Sequence, residues 1–284
     1  MSDLRFSALM QARLDADPQA TAFVHGESTT TVMSLAHQVQ CMTAWLRSVG
    51  IGPGDRMAVW LVNRVEWLAL LMAAGRMGVT VAAVNTRYRQ EEVAHILRTS
   101  GARLLVTQLP HQRLDFLSIL ADLDPARVPD LQQIAVLGSD GAAPSSAADL
   151  PAGLAWPLVP LNWQQCTPET GQDDSDPDTT VVLFSTSGTT KAPKLVMHPQ
   201  RTLVDHALRC AAAYRLGQPG ACLLTLLPLC GAFGLNSTLA AFAAGAPVVL
   251  PALFEVDEAA ALMVRHAATR SLRSDEKVRR LPDS

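Results

Sequence analysis

Val181-Val182-Leu183-Phe184-Ser185-Thr186-Ser187-Gly188-Thr189-Thr190-Lys191-Ala192-Pro193-Lys194 is an apolar run that ends in hydroxyls, one glycine and two lysines. The first four residues read as a buried strand. The loop that follows offers backbone N–H groups, hydroxyls and ammonium groups at one end of that strand, a combination suited to a polyphosphate. Gly188 lets a backbone come close to a ligand, and Pro193 stiffens the exit. The string has neither the Gly-x-x-x-x-Gly-Lys-Ser/Thr spacing of a P-loop nor the Gly-x-Gly-x-x-Gly of a dinucleotide fold. Taken alone, a hydroxyl-rich stretch of this length also suits an ordinary surface turn.

Outward from this stretch, short apolar runs alternate with helical patterns. Leu35, Val39, Met42 and Leu46 carry helical spacing over Val32–Val49, and Gly52-Pro53-Gly54-Asp55 is a turn. Strands are expected over Met57–Val62, Val79–Val84 and Leu104–Thr107. Helices are expected over Trp67–Met77 and Glu91–Thr99. Beyond the loop, strands are expected at Leu195–Met197, Cys222–Leu226 and Val248–Leu250, and helices at Leu203–Ala213 and Leu235–Ala244. Strand–helix–strand repetition with brief turns predicts an α/β fold with parallel sheet. Asp140–Pro160 and the acidic Gln172–Asp178 read as loops or a junction. The expected division is a first α/β subdomain over 1–170, an acidic junction over 171–180 and the start of a second subdomain over 181–284.

Composition narrows the function classes. The 284 residues carry 23 basic and 26 acidic side chains, for a net charge of −3, and 49% are hydrophobic. That balance gives no electrostatic footprint for nucleic acid. Leu216–Phe254 holds no charge, yet Pro219, Pro228, Pro247 and Pro251 divide it, so short buried elements are expected and no membrane span. Asp3, Arg5 and Gln11 interrupt any early apolar run, so no leader peptide is expected. Cys41, Cys166, Cys210, Cys222 and Cys230 are scattered and odd in number, which favours reduced core thiols and a cytoplasmic setting. His25, His37, His95, His111, His206 and His266 show no metal spacing, and no metal site is expected. His198 and the five tryptophans (Trp45, Trp60, Trp67, Trp156, Trp163) read as packing residues.

Ser185-Thr186-Ser187-Gly188-Thr189-Thr190, with Pro193-Lys194, resembles the signature loop of the AMP-forming acyl-CoA synthetases and related adenylating ligases. Gly54-Asp55-Arg56-Met57-Ala58-Val59, Val84-Asn85-Thr86-Arg87-Tyr88 and Pro228-Leu229-Cys230-Gly231-Ala232-Phe233-Gly234-Leu235 resemble further segments of that family, in matching order, to about Leu262. Lys191 and Leu195 stand where the family has glycines, and Gly231 where many members have histidine.

The resemblance implies the layered αβαβα large N-terminal domain of these enzymes, incomplete here. It also implies ATP-dependent activation of a carboxylic acid, a fatty acid first among them, to an acyl-adenylate and then an acyl-CoA thioester. ATP, Mg2+ and coenzyme A would be used, with a small-molecule carboxylic acid as partner. Thr186, Ser187, Gly188, Thr189, Thr190, Lys191 and Lys194 are the expected phosphate contacts, and Cys230, Gly231, Phe233 and Gly234 the expected pocket border. The family's adenine and ribose segments, hinge and catalytic lysine have no counterpart in the sequence, and Lys277 sits in a charged tail, Arg273–Arg280. The chain is therefore expected to be the N-terminal part of such a ligase. An inactive nucleotide-binding or interaction fragment, and an adenylating domain that loads a carrier-protein thiol, are the alternatives.

Overall fold

The computed structural model describes residues 3–138, 144, 150–171, 173, 175–186 and 193–272. In chain order the first elements are α1 (Phe6–Ala16), β1 (Thr21–His25), β2 (Ser28–Thr31), α2 (Val32–Ser48) and β3 (Arg56–Val59). Next come α3 (Val65–Met77), β4 (Thr80–Ala83), α4 (Gln90–Ser100), β5 (Leu104–Gln108), α5 (Phe116–Ala121), β6 (Gln133–Leu137) and β7 (Leu158–Pro160). The last group is β8 (Thr180–Thr186), β9 (Lys194–Pro199), α6 (Gln200–Ala213), β10 (Leu223–Thr225), α7 (Ala232–Ala244), β11 (Val248–Val249), α8 (Val256–Arg265) and β12 (Arg270–Leu272).

The chain forms two bodies, each with its own sheet. The first takes residues 1–37, 62–68 and 201–284, and the second takes 38–61 and 69–200. They alternate along the chain, where the sequence suggested consecutive subdomains over 1–170 and 181–284. Strand pairing is the reason. β8, expected to open the second subdomain, hydrogen-bonds in parallel to β4, whereas β11 pairs with the N-terminal β1.

In the second body seven strands run in the order β7-β6-β5-β3-β4-β8-β9. All neighbours are parallel except β8 and β9. The α/β class with parallel sheet is thus borne out. β5 and β6 are buried along nearly their whole length, which is why they read as continuous apolar runs with no alternation. Trp60 and Phe116 stack in the core with ring centroids 4.4 Å apart. Burying side chains of this size stabilises by roughly 1.5–3 kcal/mol each.

In the first body the order is β12-β10-β11-β1-β2, parallel except for the β1–β2 hairpin. Its apolar centre includes Cys222, Leu224, Leu226, Val249, Ala259 and Leu262. Phe23 of β1 stacks on Phe242 of α7. The uncharged 216–254 stretch folds into short elements, as its prolines required, and no described helix is long and apolar enough to cross a membrane.

Helix ends follow local chemistry. The Glu92 carboxylate accepts from the Arg89 N–H at 3.0 Å and closes the start of α4. Gly101 ends α4 at φ 65°, a conformation that other residues adopt only with strain. At α5, Asp115 caps by accepting from the Ser118 N–H at 3.1 Å. The Asp140–Pro160 stretch, expected as loop, contains β7, while 139–143 and 145–149 lie outside the described residues. The charged tail Arg273–Arg280 and Lys277 also lie outside them.

Candidate nucleotide and substrate site

The signature stretch begins as expected, with a strand whose apolar residues Val181–Phe184 are buried. β8 continues to Thr186, and β9 returns from Lys194, so Thr186 and Lys194 face each other across one antiparallel rung. Both are exposed. Ser187, Gly188, Thr189, Thr190 and Lys191 lie outside the described residues. The structure thus brings together two of the expected phosphate contacts, Thr186 and Lys194. An ammonium group and a hydroxyl on one exposed rung are able to engage phosphate oxygens.

Side chains from the β4–α4 segment meet both stems of this hairpin. The Tyr88 hydroxyl shares a hydrogen bond with Ser185 Oγ at 2.7 Å. His95 Nε2 lies 2.7 Å from the Pro193 carbonyl and must carry the proton, since a carbonyl only accepts. Tyr88 is aimed by a turn at Asn85. That residue's carbonyl accepts from the Tyr88 N–H at 3.0 Å and from Trp60 Nε1 at 3.1 Å. The Asn85 side chain accepts from the Arg87 N–H at 2.9 Å. Sequence reading gave neither Tyr88 nor His95 a role. The Asn-Thr-Arg-Tyr segment was the available signal for Tyr88; His95 carried none. His198, on β9, packs edge-on against Phe184 with centroids 5.3 Å apart, and burial pushes its imidazolium below the ordinary histidine range. It packs here, as expected.

In the first body, the Pro228–Leu235 segment turns into α7. Asn63 Nδ2 donates to the Leu227 carbonyl at 3.1 Å, and the Leu229 N–H donates to Asn63 Oδ1 at 2.8 Å. The Asn63 N–H donates in turn to the Ala252 carbonyl at 3.1 Å. One buried amide therefore fixes both sides of Pro228. Gly231 is the N-cap of α7, and its N–H donates to the Pro228 carbonyl at 3.1 Å. Gly234 packs so closely that a Cβ there would collide with the Pro228 carbonyl. Of the expected pocket residues, Cys230 and Gly234 are buried, Gly231 is half-buried and Phe233 is exposed at 57%. Sequence reading passed over Asn63, whose partners lie more than 160 positions away.

Among the described residues no cluster of three or more His, Cys, Asp or Glu could hold a metal ion. Cys41, Cys166, Cys210, Cys222 and Cys230 are not in disulfides. Burial pushes the thiols of Cys41, Cys166, Cys210 and Cys222 up, which makes them poor nucleophiles.

Known proteins match this arrangement. The chain is 27% identical over 251 residues to the 2-succinylbenzoate–CoA ligase of Bacillus licheniformis, covering 88% of this chain and 45% of that protein. It is 29% identical over 203 residues to the long-chain-fatty-acid–CoA ligase FadD13 of Mycobacterium tuberculosis, covering 69% of this chain and 35% of that protein. The chain spans less than half the length of these relatives. The fold superposes with a TM-score of 0.71 on the o-succinylbenzoate CoA synthetase of Bacillus subtilis, solved with its acyl-adenylate intermediate. That likeness is at 21% identity over 95% of this chain and 62% of that one. A model of the AMP-binding enzyme family matches residues 10–270, and the chain belongs to that family.

Proposed function

We propose that this chain carries the nucleotide-holding part of an AMP-forming acid–CoA ligase. In the first step a carboxylate attacks the α-phosphorus of Mg·ATP, forming an acyl-adenylate and releasing pyrophosphate. In the second, the thiol of coenzyme A displaces AMP. The carboxylate is already ionised at neutral pH, so the first step needs orientation and charge stabilisation more than a protein base. Thr186 and Lys194 would hold the β- and γ-phosphates, together with Ser187, Gly188, Thr189, Thr190 and Lys191. Cys230, Gly231, Phe233 and Gly234 would border the acyl or adenylate pocket.

The observation that carries this reading is the Thr186–Lys194 rung at the end of the signature strand, within a chain of the AMP-binding enzyme family. The acceptor is read as coenzyme A because the relatives cited are CoA ligases. Those relatives act on acids as different as succinylbenzoate and long-chain fatty acids, so a fatty acid is one candidate substrate among several. The five cysteines, none of them in a disulfide, fit a reducing, cytoplasmic setting.

The test is acid-dependent release of pyrophosphate from Mg·ATP by the purified chain, across a panel of fatty, aryl and dicarboxylic acids. Release that requires one class of acid supports the proposal. Release at background with every acid indicates that catalysis needs further sequence, and a chain that also fails to bind Mg·ATP contradicts the proposal.

A further inference from the structure

β8 and β9 leave their sheet before they reach the rung described above. β8 pairs with β4 only at Val81↔Val182 and Ala82↔Leu183, whereas its pairing with β9 continues through Phe184↔Val196 and Ser185↔Leu195 to Thr186↔Lys194. Among the described residues β9 is the edge strand of the sheet, with β8 as its one neighbour. The last three rungs are therefore a two-stranded ribbon, and such a ribbon is marginally stable by itself.

Each stem of that ribbon receives a side-chain hydrogen bond at its far end. Tyr88 meets Ser185, one residue before Thr186, and His95 meets Pro193, one residue before Lys194. Pro193 has no N–H, so its carbonyl is its one backbone polar group, and His95 satisfies it. Both side chains come from the 17 residues between the end of β4 and the end of α4 (Val84–Ser100). Both are firmly based. Tyr88 packs against the core of the second body and is oriented by the Asn85 turn. His95 rides on a helix whose Val93, Ala94, Ile96 and Leu97 are buried. Leu195 packs on the same core.

We infer that Tyr88 and His95 are positioning residues for the nucleotide: they clamp the two stems of the β8–β9 ribbon and so fix the Thr186–Lys194 rung where the phosphates are held. The inference rests on the proposed binding of Mg·ATP at that rung. Neither residue touches the nucleotide in this account. Their effect is preorganisation, which raises affinity by removing the cost of ordering the ribbon when the ligand binds.

The experiment uses the full chain and five variants: Tyr88→Phe, Ser185→Ala, these two combined, His95→Ala and His95→Gln. Tyr88→Phe keeps the packed ring and removes only the hydroxyl. Glutamine at 95 keeps an N–H close to the position of Nε2. Loss of one such bond is expected to raise the KM for ATP about three- to tenfold, with the KM for the acid unchanged. His95→Gln should recover most of the loss seen in His95→Ala. Tyr88→Phe combined with Ser185→Ala should be no worse than either change alone, because both remove the same bond. In the ligand-free chain, amides of residues 184–186 and 194–196 should exchange faster in Tyr88→Phe and His95→Ala, and amides of β5 and β6 should not. Wild-type use of ATP, with an unchanged ATP KM and unchanged ribbon exchange in every variant, overturns the clamp and leaves the nucleotide reading intact. Faster exchange throughout the second body, without rescue by glutamine, reduces both residues to general packing and also overturns it. A wild-type chain that neither binds nor uses Mg·ATP removes the proposed site, and the positioning role with it.

Discussion

Asn63 shows how one side chain shapes a loop distant in sequence. Its amide pairs with a carbonyl on one side of Pro228 and an N–H on the other. Truncation strands the buried Leu229 N–H away from water, while the Leu227 carbonyl sits on a half-buried residue. Asn63→Ala is expected to lower stability by about 1–3 kcal/mol, mainly from the one unsatisfied buried group. Urea unfolding measures this directly, and an unchanged midpoint would remove the loop-fixing role. Gly234 follows the same logic through contact, since no Cβ fits against the Pro228 carbonyl. Neither role was legible in the sequence. The Pro-Leu-Cys-Gly segment signalled that the loop mattered, but the asparagine that holds it is named only by the fold. Tyr88 and His95 escaped notice for the same reason, because their partners Ser185 and Pro193 lie nearly 100 positions further along.

At the scale of elements, β3 begins from the Gly52–Asp55 turn. The Asp55 carboxylate accepts from the Gly52 N–H at 2.9 Å and from Arg103 Nη1 at 2.6 Å. Partial burial opposes ionisation there, but Arg103 and the Gly52 N–H outweigh it and hold the carboxyl below its ordinary value of 3.8. A lowered carboxyl pKa stabilises the fold above the unfolded value, and that stability is lost as pH falls through the folded one. Because Arg103 is 39% exposed, the contribution is modest, about 0.5–1 kcal/mol. Asp55→Asn should therefore lower the melting temperature at pH 7 and shrink the difference from wild type below pH 3.8. A difference that does not change with pH would contradict the ion pair's role. Helices α2, α3, α4, α6 and α7 and the buried strands β3, β4, β5, β8, β10 and β11 were the legible elements, because apolar runs or periodicity mark them, whereas α1, α5, α8 and β6 went unread. β12 (Arg-Ser-Leu) and β2 (Ser-Thr-Thr-Thr) were not legible either: they lack an apolar pattern and are strands by virtue of backbone pairing to β10 and β1. Gly26, at φ 58° in the turn between β1 and β2, was the one local sign of that hairpin.

At the scale of the molecule, local pattern gave the α/β class, and long-range pairing decided how the chain divides. No local signal announces that β11 will join β1 or that β8 will join β4. The family was legible in the loop string and three further segments, all of which lie within the 10–270 span that matches the AMP-binding enzyme family. The 284 residues nonetheless span 45% of the succinylbenzoate ligase they resemble, so the claim that they hold Mg·ATP at the β8–β9 rung has to be met by the chain itself. Calorimetric titration of Mg·ATP into the wild-type chain and into Lys194→Ala tests it most directly. Saturable binding to the wild type is expected, weakened about tenfold or more in the variant, since a charge-assisted hydrogen bond contributes about 1.5–3 kcal/mol. Equal affinity in the two proteins, or no binding to the wild type, would contradict it.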